Sequence, residues 1–321
     1  MNMPNKIVWI DDNPDREVTA KELGAEFTNV KQIDISEVVK SLLNESSPRL
    51  VIIDHVLDKA AGPVHPVFKK GSTIAEAIKE RWPHCPVVGV TAADNVEGID
   101  VRTKGIYDAL YRFTDFSKYV DRLEGIAQGF EAIKKSSKST PNLIKLLNPP
   151  NGEMDRLYGA LDSDLKNAQD ASVASRMYRW VGFLFDRPGF LFDALWSATF
   201  LGLTETGFDV VRHIFEQAKY NGIFLRPDEP RWWSSQLAEL LYSQFNTNAG
   251  ELSWHVGRRL PGITDGHFSK CYFCKKDYPE TVAFLDEASE QRNAMHLGCT
   301  LLHSRFKREL YFEDIRIMRG K

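Results

Sequence analysis

The sequence predicts an α/β fold: a doubly wound domain on a parallel sheet over residues 1–133, then an all-α region, then a small metal-binding module. Three observations carry this. Short β-branched runs alternate with amphipathic helical stretches up to residue 130, as in a parallel sheet covered on both faces. Residues 153–257 show helical periodicity without strand alternation. Cys271, Cys274 and Cys299 cluster with His296, away from Cys85, a ligand pattern more than a disulfide pattern.

The elements follow in order. Lys6–Ile10 is a short apolar run that ends in Asp11 and Asp12, and a helical pattern runs from Pro14 to Gly24. Ile35–Leu43 reads as a second helix, and Leu50–Ile53 as a β-branched strand ending at Asp54. Ser72–Arg81 is a third helix, with Ile74, Ala75, Ala77 and Ile78 on its apolar face. Pro86–Val90 is a buried strand ending at Thr91; Ala109–Tyr111 and Phe116–Phe130 supply a last strand and helix. Residues 134–152 are rich in Lys, Ser, Pro and Asn and read as a linker. A helical domain over 153–260 and a zinc module with a C-terminal helix over 261–321 complete the chain.

Charge narrows the function classes. The net charge is −3 overall, and by segment −1 for residues 1–150, −5 for 151–257 and +3 for 258–321. That falls short of a dedicated nucleic-acid binder's basic footprint. The longest apolar stretch, Tyr178–Leu203, is interrupted by Asp186, Arg187, Pro188 and Asp193. It suits a buried helical hairpin better than a membrane span, which needs about 20 apolar residues. The start, MNMPNKIVWIDD, enters a strand pattern without a basic-then-apolar leader. A cytoplasmic protein is expected.

Ligands of parallel sheets bind at the carboxyl ends of the strands, where Asp11, Asp12, Asp54 and Thr91 fall. Converging carboxylates raise one another's pKa unless a cation intervenes, and Mg²⁺, a hard ion that takes oxygen ligands, is the natural one. KIVWIDDNPD, RLVIIDHVLD and PVVGVTAAD, in this order and spacing, resemble the signatures of bacterial response-regulator receiver domains, which have the five-stranded flavodoxin-like fold. The resemblance implies that Asp54 is the phospho-acceptor, that Asp11 and Asp12 help hold Mg²⁺ with Asp54, and that Thr91 senses the phosphoryl group. It also implies a basic switch residue, and Arg112 stands where that family carries a lysine. Arginine keeps the charge but not the compact ammonium. The loop DKAAGPVHPVFKKG after Asp54 is longer than the family's usual one. Two uses stay open: regulated phospho-acceptance, and a pseudo-receiver that serves only protein contact.

The second constellation is Cys271-Tyr-Phe-Cys274, then His296-Leu-Gly-Cys299. Four nitrogen and sulfur ligands with no spare position describe a structural tetrahedral Zn²⁺ site. The arrangement is similar to treble-clef fingers, in which a knuckle and hairpin precede a helix that donates the last pair. His296 and Cys299 would then share one face of a helix's first turn. His267 and His303 lie nearby as substitutes. No histidine separates Cys274 from His296, which argues against a nuclease of that fold. Arg305, Lys307 and Arg308 read as a solvated helix face.

Five of the seven tryptophans fall in the middle segment, and Arg176–Trp180 and Arg231–Trp233 mix cations with aromatics. Core packing explains them more simply than base stacking. The expected whole is a signal-transduction protein and not an enzyme, with phospho-acceptance its only covalent chemistry. Its partner is another protein, a kinase or an output protein; a homodimer stays open. A nucleic-acid-associated regulator is the alternative.

Overall fold

The computed structural model describes residues 6–30, 35–57, 70–92, 99–136, 139–161, 163–166, 172–187, 189–245, 247, 250–276, 281–286, 291–296 and 299. Most of the loop after Asp54, His303 and the tail with Arg305, Lys307 and Arg308 lie outside these residues.

Five strands, β1 (Ile7–Asp11), β2 (Ala25–Asn29), β3 (Leu50–Asp54), β4 (Val87–Thr91) and β5 (Ala109–Arg112), form one sheet in the order β2-β1-β3-β4-β5. Every pair is parallel. Between them lie helices α1 (Glu17–Glu22), α2 (Ile35–Asn44), α3 (Gly71–Arg81) and α4 (Val101–Lys104), and α5 (Val120–Lys135) follows β5. The five-stranded flavodoxin-like fold that the resemblance implies is the one observed. Side chains alternate faces along each strand. Val8, Ile10, Val51 and Ile53 join Ile74 and Ile78 of α3 in one core. Trp9, between Val8 and Ile10, has its ring centroid 5.1 Å from that of Phe116. Each such buried apolar side chain contributes about 1.5–3 kcal/mol.

Three local details differ from the sequence reading. The segment AEFTN forms edge strand β2, with only Ala25 buried; an edge strand that faces water on one side shows no continuous apolar run. The pattern from Pro14 to Gly24 splits into a 3-10 turn, Pro14–Arg16, and α1. The turn is capped by the Asn13 side chain, which accepts from the Asp15 N–H (3.1 Å). The stretch read as a linker contains the helix Thr140–Lys145, with Leu143, Ile144 and Leu147 fully buried.

The chain divides into two compact units that interleave along the sequence. The first comprises Met1–Leu146, Leu161–Trp180 and Ile223–Asp228; the second, Leu147–Ala160, Val181–Gly222 and Glu229–Lys321. In the first unit, later residues are fastened to the sheet-bearing part by polar and apolar contacts. Lys79 ion-pairs with fully buried Asp108 (2.6 Å) and donates to Ser175 Oγ (2.9 Å). Arg122 pairs with Asp228 (2.8 Å). Phe130, Tyr178 and Phe224 form an aromatic cluster with centroids 5.1–6.5 Å apart. Gly125 and Gly129 let α5 approach closely: a Cβ on either would lie 2.3 Å from Leu225 O or from the Phe224 ring.

The second unit is largely helical. Its core gathers Phe208, Phe215, Trp232, Leu237, Leu241 and Val256. Trp232 and Trp233 pair in a two-residue strand with Leu191–Phe192, both nearly inaccessible. Arg231 is buried too and donates to the Phe185 carbonyl (3.2 Å). Packing accounts for this cation–aromatic run. A hairpin of Thr281–Asp286 and Gln291–His296 lies against the helix Ala194–Phe200. Among the described residues no helix is long and apolar enough to cross a membrane.

Candidate functional site

Strands β1 and β3 are neighbours, and the chain leaves β1 for β2 on one side before it returns to β3 on the other. Such a reversal of strand order leaves a crevice outside the strands' carboxyl ends. Asp11 ends β1, Asp54 ends β3, and Thr91 ends β4 opposite Arg112 of β5. Asp11, Asp12 and Asp54 are all buried, and one carboxylate oxygen from each lies within 4.8 Å of the others. Close packing positions this rim: Gly71 donates its N–H to the His55 carbonyl (3.0 Å), and a Cβ on Gly71 would meet the Asp54 carbonyl at 2.0 Å.

Asp11 is held on both oxygens. Oδ1 accepts from the Asn13 N–H (2.8 Å), and Oδ2 accepts from Trp9 Nε1 (3.1 Å) and Arg16 Nη1 (2.8 Å). The same Nη1 stands 3.3 Å from Asp54 Oδ2. The Arg16 guanidinium is 5% exposed and lies 4.4 Å from the Phe113 ring centroid. Among the described residues, Asp54 Oδ1 accepts a long bond from the Val56 N–H (3.4 Å). Burial, then the charge of Asp11, pushes the Asp54 carboxyl up to about 7, with Arg16 pulling the other way. Burial also raises Asp11, against the charge of Arg16 and the hydrogen bonds from Asn13 and Trp9.

The residues expected to form the acidic pocket therefore converge. The cation among them is one that sequence reasoning passed over. Arg16 ends the 3-10 turn before α1, in the run DDNPDRE, where nothing in the sequence marks it as turned inward. Only the Asn13-capped turn directs it inward. Arg112 is half-buried and acts on Asp115, which it helps hold low, behind the larger effect of Lys118. The donor set suits Mg²⁺: three carboxylates supply hard oxygen ligands, and burial leaves the two acids that shift short of counter-charge. Arg16 shares two of the three.

The second cluster is Cys271, Cys274, His296 and Cys299, whose ligand atoms also lie within 4.8 Å of one another. His296 Nδ1 is 3.2 Å from Cys274 Sγ and 3.8 Å from Cys299 Sγ. Cys271 Sγ accepts the His296 N–H (3.4 Å). Burial alone would raise the Cys271 thiol, but backbone N–H groups of His296, Cys274 and Phe273 bring it down, which favours a thiolate ligand. Cys299 is pushed up to about 12 by burial and by the neighbouring Cys271 and Cys274 sulfurs, so a cation is what would let all three ionise. Lys275, at φ 60°, turns the chain so that its N–H reaches the Cys271 carbonyl (2.9 Å). Three sulfurs and one imidazole nitrogen are a tetrahedral metal's donor set. One placement differs from the sequence reading: His296 is the last residue of the hairpin's second strand, opposite Thr281, not part of a helical turn. His267 instead caps its own turn through Thr264.

No family model and no curated protein matches the chain. Among solved structures it is similar to the response regulator TrrA from Thermotoga maritima in complex with Mg²⁺ and BeF, at 16% identity and TM-score 0.26, over 37% of this chain and 99% of that one. It is similar to a response regulator receiver domain protein from Clostridium thermocellum, at 19% and 0.27, over 37% and 94%. It is also similar to a response regulator from Burkholderia pseudomallei with a phosphorylated aspartic acid, calcium ion and citrate, at 15% and 0.29, over 56% and 93%.

Proposed function

We propose that this chain is a cytoplasmic signal-transduction protein of the response-regulator kind, in which Asp54 accepts a phosphoryl group and the helical and zinc-binding parts contact a protein partner. The observation that carries the reading is the convergence of Asp11, Asp12 and Asp54 at one buried rim beside Thr91. In the reaction, an Asp54 carboxylate oxygen attacks the phosphorus of a phosphoryl donor. The bond to the donor's leaving oxygen or nitrogen breaks, and an acyl phosphate remains. Asp11 and Asp12, with Asp54, would hold Mg²⁺, which when bound supplies the positive charge that lets an anion approach carboxylates. The modification adds about −1.5 to −2 charges at one point. Thr91, at the end of the adjacent strand, would answer with its hydroxyl. Cys271, Cys274, His296 and Cys299 would hold a structural Zn²⁺ that fixes the hairpin.

The test is beryllofluoride with Mg²⁺, a stable phosphoryl mimic. The wild type should change in thermal stability or oligomeric state, and Asp54→Asn should not. If both respond alike, or neither responds, the pocket is a pseudo-receiver's.

One observation favours a second reading, contact of the zinc-binding part with nucleic acid. The turn between Cys271 and Cys274 exposes Tyr272 and Phe273, and Lys270, Lys275 and Lys276 beside it are exposed too. Aromatic faces with cations suit single-stranded bases and phosphates. Binding of a single-stranded oligonucleotide that weakens steeply with salt would support it.

A further inference from the structure

We propose that Arg16 is a tethered counter-cation that competes with a divalent metal for the acidic pocket and thereby sets the pocket's metal affinity. The inference rests on the metal reading of Asp11, Asp12 and Asp54.

A Mg²⁺ ion binds carboxylate oxygens at about 2.1 Å. Arg16 Nη1 is 2.8 Å from Asp11 Oδ2 and 3.3 Å from Asp54 Oδ2. A metal on either of those oxygens would stand within about 5.5 Å of the guanidinium. With Arg16 and Asp11 side chains 5% and 0% exposed, little water screens the two cations from each other. Metal entry is therefore opposed by the guanidinium in its seat.

The seat is built to hold and to release. The Asn13-capped turn aims Arg16 inward, and the Phe113 ring stacks against the charge. Arg16 Nε, however, is buried without a hydrogen-bond partner among the described residues. A buried donor left unmade is costly, so the inward pose is incompletely satisfied. Asp11 Oδ2 already accepts from Trp9 Nε1 as well, so it keeps a partner when Arg16 departs. The arrangement lowers the pocket's metal affinity, so that filling it takes more divalent cation.

The probe is Mn²⁺, whose free concentration is read by electron paramagnetic resonance against the zinc-loaded full chain. Arg16→Met should bind Mn²⁺ on the order of tenfold or more tighter than the wild type. Adding Asp54→Asn should erase the gain. Arg16→Gln, which keeps polarity without charge, should behave like Arg16→Met, and provides the measurement should the methionine variant not fold. Equal or weaker Mn²⁺ binding by the folded variants overturns the role of Arg16 and leaves the metal reading standing. Absence of binding in every form overturns both.

Discussion

Helix α5 carries Gly125 and Gly129 one turn apart, and replacing either by alanine should lower stability although alanine is the better helix former. In an open helix the exchange gains about 1 kcal/mol. Here the new methyl on residue 125 would sit 2.3 Å from the Leu225 carbonyl oxygen, more than 1 Å inside ordinary contact. The obstacle is backbone, which cannot rotate aside. At residue 129 it would meet two Phe224 ring carbons at 2.3 Å. That ring is wedged between Phe130 and Tyr178, on a backbone at φ 61°. Overpacking of this kind costs about 1–3 kcal/mol. The net effect is about 0–2 kcal/mol of destabilisation for each variant. Urea unfolding measures it, with Gly159→Ala as the internal reference. Gly159 is exposed near the end of the helix Glu153–Ala160, with nothing within 4 Å of the place an added methyl would take, and should gain roughly 0.5–1 kcal/mol. If Gly125→Ala gains stability as Gly159→Ala does, residues Ile223–Asp228 do not lie against α5 as described.

Two further outcomes are expected. Cys271→Ser should lose about one zinc per chain by elemental analysis, and the hairpin ending at His296 should lose hydrogen-exchange protection; full metal retention would remove Cys271 from the ligand set. In the absence of Mg²⁺, Asp54 should make stability fall with rising pH. Its folded pKa of about 7 exceeds its ordinary 3.8, so its favourable contribution is complete below 3.8 and is lost as pH rises through about 7. Asp54→Asn should therefore become progressively more stable than the wild type across that window, and a pH-independent difference would contradict the burial assigned to Asp54.

Strands β1, β3 and β4 were legible because their buried runs are continuous and end in residues with distinctive chemistry. The Cys-x2-Cys and His-x2-Cys pairs were legible because metal ligands must be of few types at short spacing. Strand β2 was not, since an edge strand with one buried residue in five leaves no periodic mark. His296 was assigned to a helix because spacing of three suits a helical turn, but a strand end followed by Cys299 brings the same atoms together. Gly125 and Gly129 went unread in the sequence, and the segment packed on them explains their presence.

By itself the sequence determined the strands that end at Asp11, Asp54 and Thr91 and the four metal-ligand candidates, because each follows from local periodicity or short-range residue chemistry. Tertiary structure decided that the three aspartates converge, that Arg16 enters the acidic pocket, and that residues 161–180 and 223–228 join the sheet-bearing unit. Those outcomes depend on contacts between residues far apart in the chain or on the direction of one capped turn. Burial in such contacts sets their energies, and no local pattern of residues encodes it.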